Sequence, residues 1–250
     1  MPLKIIESPG DTEQRGILST GNSNFDTVHG RDGSSGVNLL ALAAGNKATM
    51  TQKSGANYLI VRGVLAYDYR TANLPKNIRV VRAQLVIGGT SILAANTNGD
   101  KLRIGVITNP TNAGEVSIAT TDYDLARYDA NSYTSAQTVP NSSINVVLNL
   151  DNRALLNHLQ KAINRKGVLH LGTRNQLDFL DDASGVTGAN RVWFSPPSAQ
   201  GGSATLSELR VFYRIISNQR NPGGRGAGGI ASAGFGGTNL FCGTNSGLSS

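Results

Sequence analysis

Few residues in this chain have the type and spacing that catalysis or metal binding requires. The three histidines, His29, His158 and His170, stand at no metal-ligand spacing from one another or from the single cysteine, Cys242. A serine hydrolase needs a nucleophile on a strained turn, a histidine within hydrogen-bond reach and an acid that orients it, and the sequence contains no Gly-x-Ser-x-Gly elbow. The sequence therefore predicts neither a zinc site nor a serine hydrolase.

Acid–base chemistry on sugars needs two carboxylates that face each other across a cleft. The glutamates are Glu7, Glu13, Glu115 and Glu208, and Glu208 falls on the outward side of a predicted strand. Most aspartates lie in turn-like segments, where a carboxylate bonds to nearby backbone N–H groups. We therefore predict that the protein is not an enzyme and that it holds no cofactor or metal.

Two groups of aspartates offer oxygen ligands of the kind that Ca²⁺ prefers. They are Asp122, Asp124 and Asp129, and Asp178, Asp181 and Asp182. Neither has the spacing of an EF-hand, so solvated turn carboxylates are the favoured interpretation. Residues 224–229 match Gly-x-Gly-x-x-Gly, but Pro222 precedes them and no helical pattern follows, which indicates a Gly-rich arm rather than a dinucleotide site.

Aromatic side chains supply the remaining candidate contact surface. Tyr123, Tyr128 and Tyr133 lie in the long loop-like segment 109–143, and a loop of that length is typically functional. Together with Trp193 they could stack on the apolar faces of sugar rings. Half of a strand's side chains face the core, so burial of Trp193 is the competing explanation.

The chain is basic, with a net charge of +7 and a pI near 9.8 over 250 residues. A basic surface suits nucleic acid, a membrane or an acidic protein. The cations are dispersed, with no block of about five or more, so nucleic acid is the less favoured partner. No apolar run approaches the roughly 18 residues of a membrane span, and the N-terminus lacks the apolar core of a signal peptide. We expect synthesis in the cytoplasm and no membrane partner.

Residues 152–166 carry the one clear helical pattern, with Leu155, Leu159 and Ile163 on an apolar stripe. Asp151 is the predicted N-cap and Gly167 the left-handed stop. Alternating patterns predict strands at 58–67, 78–87, 102–108, 144–150, 168–171, 190–194 and 206–216. Arg62 is expected on the solvent face of the first of these strands, and Val81 on the inner face of the second.

The two ends of the chain differ from its middle. We predict an N-terminal arm with the first loops at 1–55, a β-sandwich at 56–216 and a Gly-rich C-terminal arm at 217–250. A Gly-rich segment buries too little apolar surface to offset its chain entropy, so the C-terminal arm is expected to order on neighbouring molecules. The candidate assembly residues in it are Arg220, Arg225, Phe235, Leu240 and Phe241.

The strand Tyr58–Asp68, the run Leu74–Ile78 and the strand Val81–Ile87 follow one another in an order that resembles DNRLRE-type, carbohydrate-binding-module-like jelly rolls. In that pattern an Arg-x-Leu-hydrophobic-Phe-Asp strand precedes Leu-Pro and then Ile-x-x-Ala-x-Leu, and this chain has Tyr67 in place of the Phe. The later stretch 146–171 is similar to the family's strand, helical crossover and strand. The resemblance covers about residues 55–216 and implies an all-β jelly-roll sandwich with one packed helix.

Domains of that family occur in secreted polysaccharide-binding proteins and in bacteriophage virion proteins. A basic, cysteine-poor chain with long arms and no export signal favours the virion. We therefore expect a non-enzymatic structural protein on the outside of the particle, either a capsid decoration (cement) protein or a tail or baseplate component. Its partners would be capsid or tail subunits and further copies of itself, with a trimer implied by the resemblance. The alternative is a carbohydrate-binding module or receptor-binding fibre head that recognises a host surface glycan.

Overall fold

The computed structural model describes residues 4–6, 12–40, 47–75, 77–87, 90–93, 101–140, 146–186, 191–194 and 208–216. Contacts divide the chain into residues 1–214 and residues 215–250. This division lies close to the predicted start of the C-terminal arm at residue 217. The arm itself lies outside the described residues.

The described part of the chain is predominantly β-strand. Its strands are β1 (Lys4–Ile6), β2 (Thr12–Asn22), β3 (Val37–Leu39), β4 (Lys47–Ser54), β5 (Asn57–Asp68), β6 (Ile78–Ile87), β7 (Thr90–Leu93), β8 (Lys101–Ile107), β9 (Gln137–Thr138), β10 (Val146–Leu150), β11 (Val168–Asn175), β12 (Arg191–Phe194) and β13 (Glu208–Ile215). Its helices are α1 (Phe25–His29), α2 (Arg153–Arg165) and α3 (Gln176–Leu180), with 3₁₀ turns at Thr120–Tyr123 and Leu125–Arg127. A four-stranded sheet has the order β1-β13-β6-β10, and the other strands form a nine-stranded antiparallel sheet. The all-β prediction is confirmed.

Strand β5 organises the larger sheet. One edge of β5 pairs with β2, whereas the other edge is shared by β4 along its first half and β11 along its second half. The two branches separate at Gly63, where the Thr49 and Thr173 hydroxyls share a hydrogen bond of 2.6 Å. A Cβ at Gly63 would lie 2.3 Å from the Thr173 hydroxyl oxygen. The point on β5 where β4 and β11 separate therefore requires a glycine.

Strand β5 is buried on both faces, so the predicted solvent face at Arg62 is wrong. Residues Ile60 and Val64 on that face pack in a cluster with Phe25 of α1 and Leu177 of α3. Short helices and the segment 109–140 thus cover a surface that the sequence left open. A strand buried on both faces loses the simple alternation that marks a half-exposed strand.

Much of the predicted N-terminal arm belongs to the large sheet, because β2, β3 and β4 all lie within residues 1–55. Their periodicity is weak because polar side chains occupy buried positions. Ser19 and Thr49 are fully buried, and the Ser19 hydroxyl donates to the Val28 carbonyl at 3.0 Å. A hydroxyl with a partner can replace an apolar side chain in the core without leaving a polar group unsatisfied.

Helix α2 has a different N-cap from the one predicted. The Asn152 Oδ1 accepts from the backbone N–H groups of Ala154 and Leu155, at 2.7 and 3.1 Å. Asp151 instead accepts from the Ser135 hydroxyl at 2.5 Å. Aspartate and asparagine are both favourable N-cap residues, so the sequence alone could not show which of these two neighbours is the cap.

The C-terminal end of α2 also differs by one residue. Lys166, rather than Gly167, adopts the left-handed conformation, with φ of 51°. The apolar stripe is confirmed, since Leu155, Leu159 and Ile163 are buried. The stripe packs α2 against β6 of the small sheet and against β8 and β11 of the large one.

Two glutamine side chains bond to backbone at the edges of the small sheet. Gln160 of α2 accepts from the Val80 N–H at 2.6 Å and donates to the Ile78 carbonyl at 3.1 Å. Gln137 of β9 accepts from the Asn149 N–H and donates to its carbonyl, each at 2.7 Å. Each amide therefore replaces the missing neighbouring strand, which protects the edge from pairing with another chain.

The inner face of β6 is predicted correctly except at one residue. Ala83, Leu85 and Ile87 are buried, but Val81 is 39% exposed. Strand β10 pairs only with residues 83–87, so Val81 lies beyond the covered part of β6. In β13, Leu209, Val211 and Tyr213 are buried as predicted.

Candidate functional site

A cluster of charged side chains lies beneath β5, and we name it the Asp178 cluster after its central carboxylate. It consists of Arg62 from β5, Arg174 from β11, Asp178 from α3 and His29 from α1. Arg62 and Asp178 are 0% and 1% exposed. The Arg62 Nε donates to Asp178 Oδ2 at 3.0 Å, and its Nη2 donates to Oδ1 at 2.7 Å. This is the two-point geometry that makes arginine–carboxylate pairs strong.

Arg62 makes two further hydrogen bonds, both to backbone carbonyls. Its Nη1 donates to the Tyr123 carbonyl at 2.6 Å, and its Nη2 donates to the His29 carbonyl at 2.9 Å. The guanidinium lies over the Tyr123 ring, 3.9 Å from the ring centre. The Tyr123 hydroxyl donates in turn to the Val28 carbonyl at 2.9 Å. Arg62 therefore ties α1 and the segment 109–140 to the centre of the sheet.

Arg174 is the second cation on the same carboxylate. Its Nε donates to Asp178 Oδ2 at 2.8 Å, and its Nη2 donates to the Asp178 carbonyl at 2.5 Å. Asn175 places Asp178, because its side chain accepts from the Leu177 N–H and so begins α3 directly after β11. The one-turn helix returns the carboxylate to the arginine four residues earlier.

His29 lies between groups with opposite hydrogen-bonding needs. Its Nε2 is 3.1 Å from Arg174 Nη2, which can only donate, and 2.9 Å from the Asp178 carbonyl, which can only accept. Its Nδ1 is 3.3 Å from Asp181 Oδ1 at the rim. Burial, reinforced by Arg62 and Arg174 and opposed by Asp178 and Asp181, lowers the pKa of His29 below its ordinary 6.5. The ring is therefore neutral at pH 7, and its contacts with aspartate are not ion pairs.

The two arginines decide the charge state of Asp178. Burial alone would raise the pKa of its carboxyl, but Arg174 and Arg62 outweigh burial and hold that pKa far below the usual range. Both carboxylate oxygens already accept from guanidinium groups. The carboxylate thus has neither the raised pKa nor the exposure that a general acid needs. The cluster therefore links β5, β11, α1 and α3 in the interior of the protein.

The three loop tyrosines are in the core, which corrects the prediction of an exposed sugar platform. Tyr123, Tyr128 and Tyr133 are 0%, 7% and 9% exposed. Tyr128 and Tyr133 stack with ring centres 6.1 Å apart, over the cross-strand pair of Gly105 and Gly172. A Cβ at Gly172 would lie 2.1 Å from the Tyr128 ring. The glycines leave room for the rings, so the segment folds back onto β8 and β11.

The interpretation of the two aspartate groups as solvated turn carboxylates rather than calcium ligands is wrong for Asp122 and Asp178, which are buried. Asp122 is buried and accepts from the Thr111 and Ala119 N–H groups, at 2.7 and 2.9 Å, which holds the loop together. Asp182 accepts from the Ser184 hydroxyl and the Gly185 N–H. Within the described ranges, no group of three or more histidine, cysteine, aspartate and glutamate side chains is placed to hold a metal ion.

Several candidate residues cannot be placed. The side chain of Trp193 lies outside the described residues, although its backbone pairs with β4 and β7. The candidate assembly residues Arg220, Arg225, Phe235, Leu240 and Phe241 also lie outside them.

A groove runs between α2 and the ends of β8 and β11, and we name it the α2 groove. It encloses about 390 Å³. His158, Lys161 and Arg165 of α2 and the buried His170 of β11 line it, together with apolar residues. The apolar lining includes Val106, Ile107, Pro110, Ala162, Val168 and Leu169. The groove is therefore a concave surface with cations along one side.

Neither a family model nor a curated protein matches this chain. No helix in the described part of the chain is long and apolar enough to cross a membrane. The function has to be inferred from the geometry of the molecule.

The sequence reasoning missed the Asp178 cluster, although one signal was present. Arg62 interrupts the otherwise apolar run 59–67, and a continuous apolar run is typical of a strand buried on both faces. A single cation in such a strand requires a buried counter-ion. The sequence did not identify that counter-ion, because Asp178 is 116 residues away.

Proposed function

We propose that this chain is a non-enzymatic structural protein on the exterior of a bacteriophage virion, as a capsid decoration protein or a tail or baseplate component. In this proposal the two antiparallel sheets are those of a jelly-roll sandwich. The body serves as a rigid support, and residues 217–250 contact neighbouring subunits of the particle.

The observation that carries the proposal is the contrast between the body and the C-terminal segment. The body pairs its buried charges with one another, and its own glutamine side chains bond the backbone of the edge strand β10 and of the part of β6 that β10 does not cover. Residues 217–250 contain ten of the chain's 30 glycines and no acidic residue, and they fall in a separate unit. Such a composition gains little by folding alone and favours ordering on a partner.

The alternative of glycan recognition has lost its three predicted tyrosine contacts, whereas the side chain of Trp193 lies outside the described residues. Tyr123, Tyr128 and Tyr133 are committed to the core, so they do not offer exposed ring faces to a sugar. No other observation in the described residues favours this alternative over a scaffold.

The proposal is tested by incorporation into particles. We expect full-length chain to co-purify with virions, and both deletion of residues 218–250 and the pair Leu240→Ser and Phe241→Ser to reduce its occupancy several-fold. Occupancy is measured by quantitative mass spectrometry of purified particles, and the thermal unfolding of each variant checks that the body still folds. Absence of the wild-type chain from particles, or full occupancy of both folded variants, would contradict the proposal.

A further inference from the structure

Helix α2 is basic on its exposed side. The stretch 152–167 contains Arg153, Lys161, Arg165 and Lys166 and no acidic residue. Lys161 and Arg165 are one helical turn apart and both line the α2 groove. Like charges at this spacing repel each other. The Lys161 side chain interacts electrostatically with the Asp129 carboxylate, but neither Lys161 nor Arg165 forms a salt bridge within the described residues. An anion between them would relieve that repulsion.

The residues on the other side of the groove limit which class of ligand can carry the anionic group. Val106, Ile107, Pro110 and Val168 form an apolar wall, and the lining contains no phenylalanine, tyrosine or tryptophan, its only rings being those of His158 and His170. Single-stranded nucleic acid is usually bound by a charged track with aromatic rings for base stacking, and sugars likewise use ring faces. A polypeptide segment with an acidic side chain, whose short aliphatic stem carries a carboxylate, matches the apolar wall and the cations together.

The existing carboxylate near the groove is already engaged. Asp129 lies 2.9 Å from His158 Nε2, and it accepts from the Asn131 N–H at 2.9 Å. His158 lines the groove and holds Asp129, which is not itself a lining residue, so the excess positive charge lies toward Arg165. The groove volume of about 390 Å³ falls within the range of ligand sites.

We propose that the α2 groove binds an acidic segment of a neighbouring polypeptide, with a glutamate or aspartate carboxylate held between Lys161 and Arg165. The aliphatic part of that side chain packs on Val106, Ile107 and Val168. This inference rests on the proposed function, because it names the chemistry of one subunit contact.

The test uses the purified full-length chain and fluorescence anisotropy with a labelled oligoglutamate peptide. We expect saturable binding, which the double variant Lys161→Gln and Arg165→Gln weakens roughly tenfold, since each exposed charge contributes modestly. Arg153→Gln is the matched control, because it removes one charge from the same helix outside the groove. We expect this control to weaken binding by less than about twofold.

Three outcomes would overturn the inference. They are unchanged oligoglutamate binding in the double variant, an equal loss per charge in Arg153→Gln, and tighter groove-dependent binding of oligothymidylate than of oligoglutamate. An oligoglutamine peptide controls for apolar binding. Because this assay contains no particles, its failure is distinct from failure of virion incorporation.

Discussion

Arg62 and Asp178 form a buried two-point ion pair across 116 positions of sequence, with distances of 3.0 and 2.7 Å from the guanidinium to the two carboxylate oxygens. Arg174 bonds the same carboxylate from the neighbouring strand β11. The cluster therefore holds two cations on one anion, with backbone carbonyls and aromatic rings completing their environment. Removal of the Asp178 carboxylate would leave two buried guanidinium groups without a counter-ion.

We expect Asp178→Asn to destabilise the protein by about 3–5 kcal/mol, because it leaves two buried guanidinium groups without their counter-ion. Urea unfolding followed by tryptophan fluorescence measures the change. Asp124→Asn is the control, since an amide still accepts from the Ala126 N–H, and its effect should stay below about 0.5 kcal/mol. Equal stability of the two variants would refute a fastening role for Asp178.

The position of His29 predicts a pH dependence of stability. Its pKa in the folded protein lies below 6.5, so the unfolded chain binds the proton more readily. The free energy of unfolding should therefore fall as the pH drops below about 6.5. Asp178, whose pKa is also lowered, adds a further loss that begins as the pH falls through the usual carboxyl range and continues below it.

Replacement of the His29 side chain tests whether His29 carries this pH dependence. In His29→Gln the decrease in unfolding free energy between pH 7 and pH 5 should become shallower, as measured by urea unfolding at a series of pH values. His158→Gln serves as the control for removal of a histidine from the protein. An unchanged slope in His29→Gln would show that another group carries the dependence.

The glycines beneath the stacked tyrosines are expected to tolerate no side chain. Gly172→Ala places a Cβ 2.1 Å from the Tyr128 ring, and overpacking of this kind typically costs about 1–3 kcal/mol. Gly167→Ala is the control, since its nearest contact would be an ordinary 3.9 Å to the Ala162 carbonyl oxygen. Thermal unfolding compares the two. Combining Gly172→Ala with Tyr128→Leu should restore part of the stability.

The edge contact of Gln160 can be tested separately from its packing. Gln160→Met keeps a similar shape but removes both bonds to β6, which should cost about 1–2 kcal/mol. Hydrogen exchange should accelerate at the Val80 amide and remain unchanged at the Asn149 amide, which Gln137 holds. Unchanged exchange at Val80 would mean that the amide needs no side-chain partner.

The effect of removing the N-cap of α2 can be compared at two neighbouring residues, Asn152 and Asp151. Asn152→Ala should destabilise the protein by about 1–2 kcal/mol, because it removes the cap of two backbone N–H groups. Asp151→Ala should cost less, since this residue bonds to an exposed serine. Chemical unfolding of the two variants ranks them, and the reverse order would restore Asp151 as the cap.

Local sequence patterns predicted those helices and strands whose burial follows the spacing of neighbouring residues in the chain. The stripe of Leu155, Leu159 and Ile163 predicted α2, and alternation predicted β6 and β13, because a helix or half-exposed strand repeats its burial at a fixed spacing. Burial of both faces of β5 was missed, although its apolar run was visible, because the covering layer comes from α1, α3 and the segment 109–140.

The partners of buried polar groups were decided by the tertiary structure alone. Arginine and aspartate are usually found at the surface, and the tyrosines lie in a segment whose pattern indicates a loop. Their burial depends on contacts between residues distant in the chain, such as Arg62 with Asp178 and Tyr128 with Gly172. Sequence spacing determines which residues share a face of one element, whereas only the assembled fold determines which faces meet.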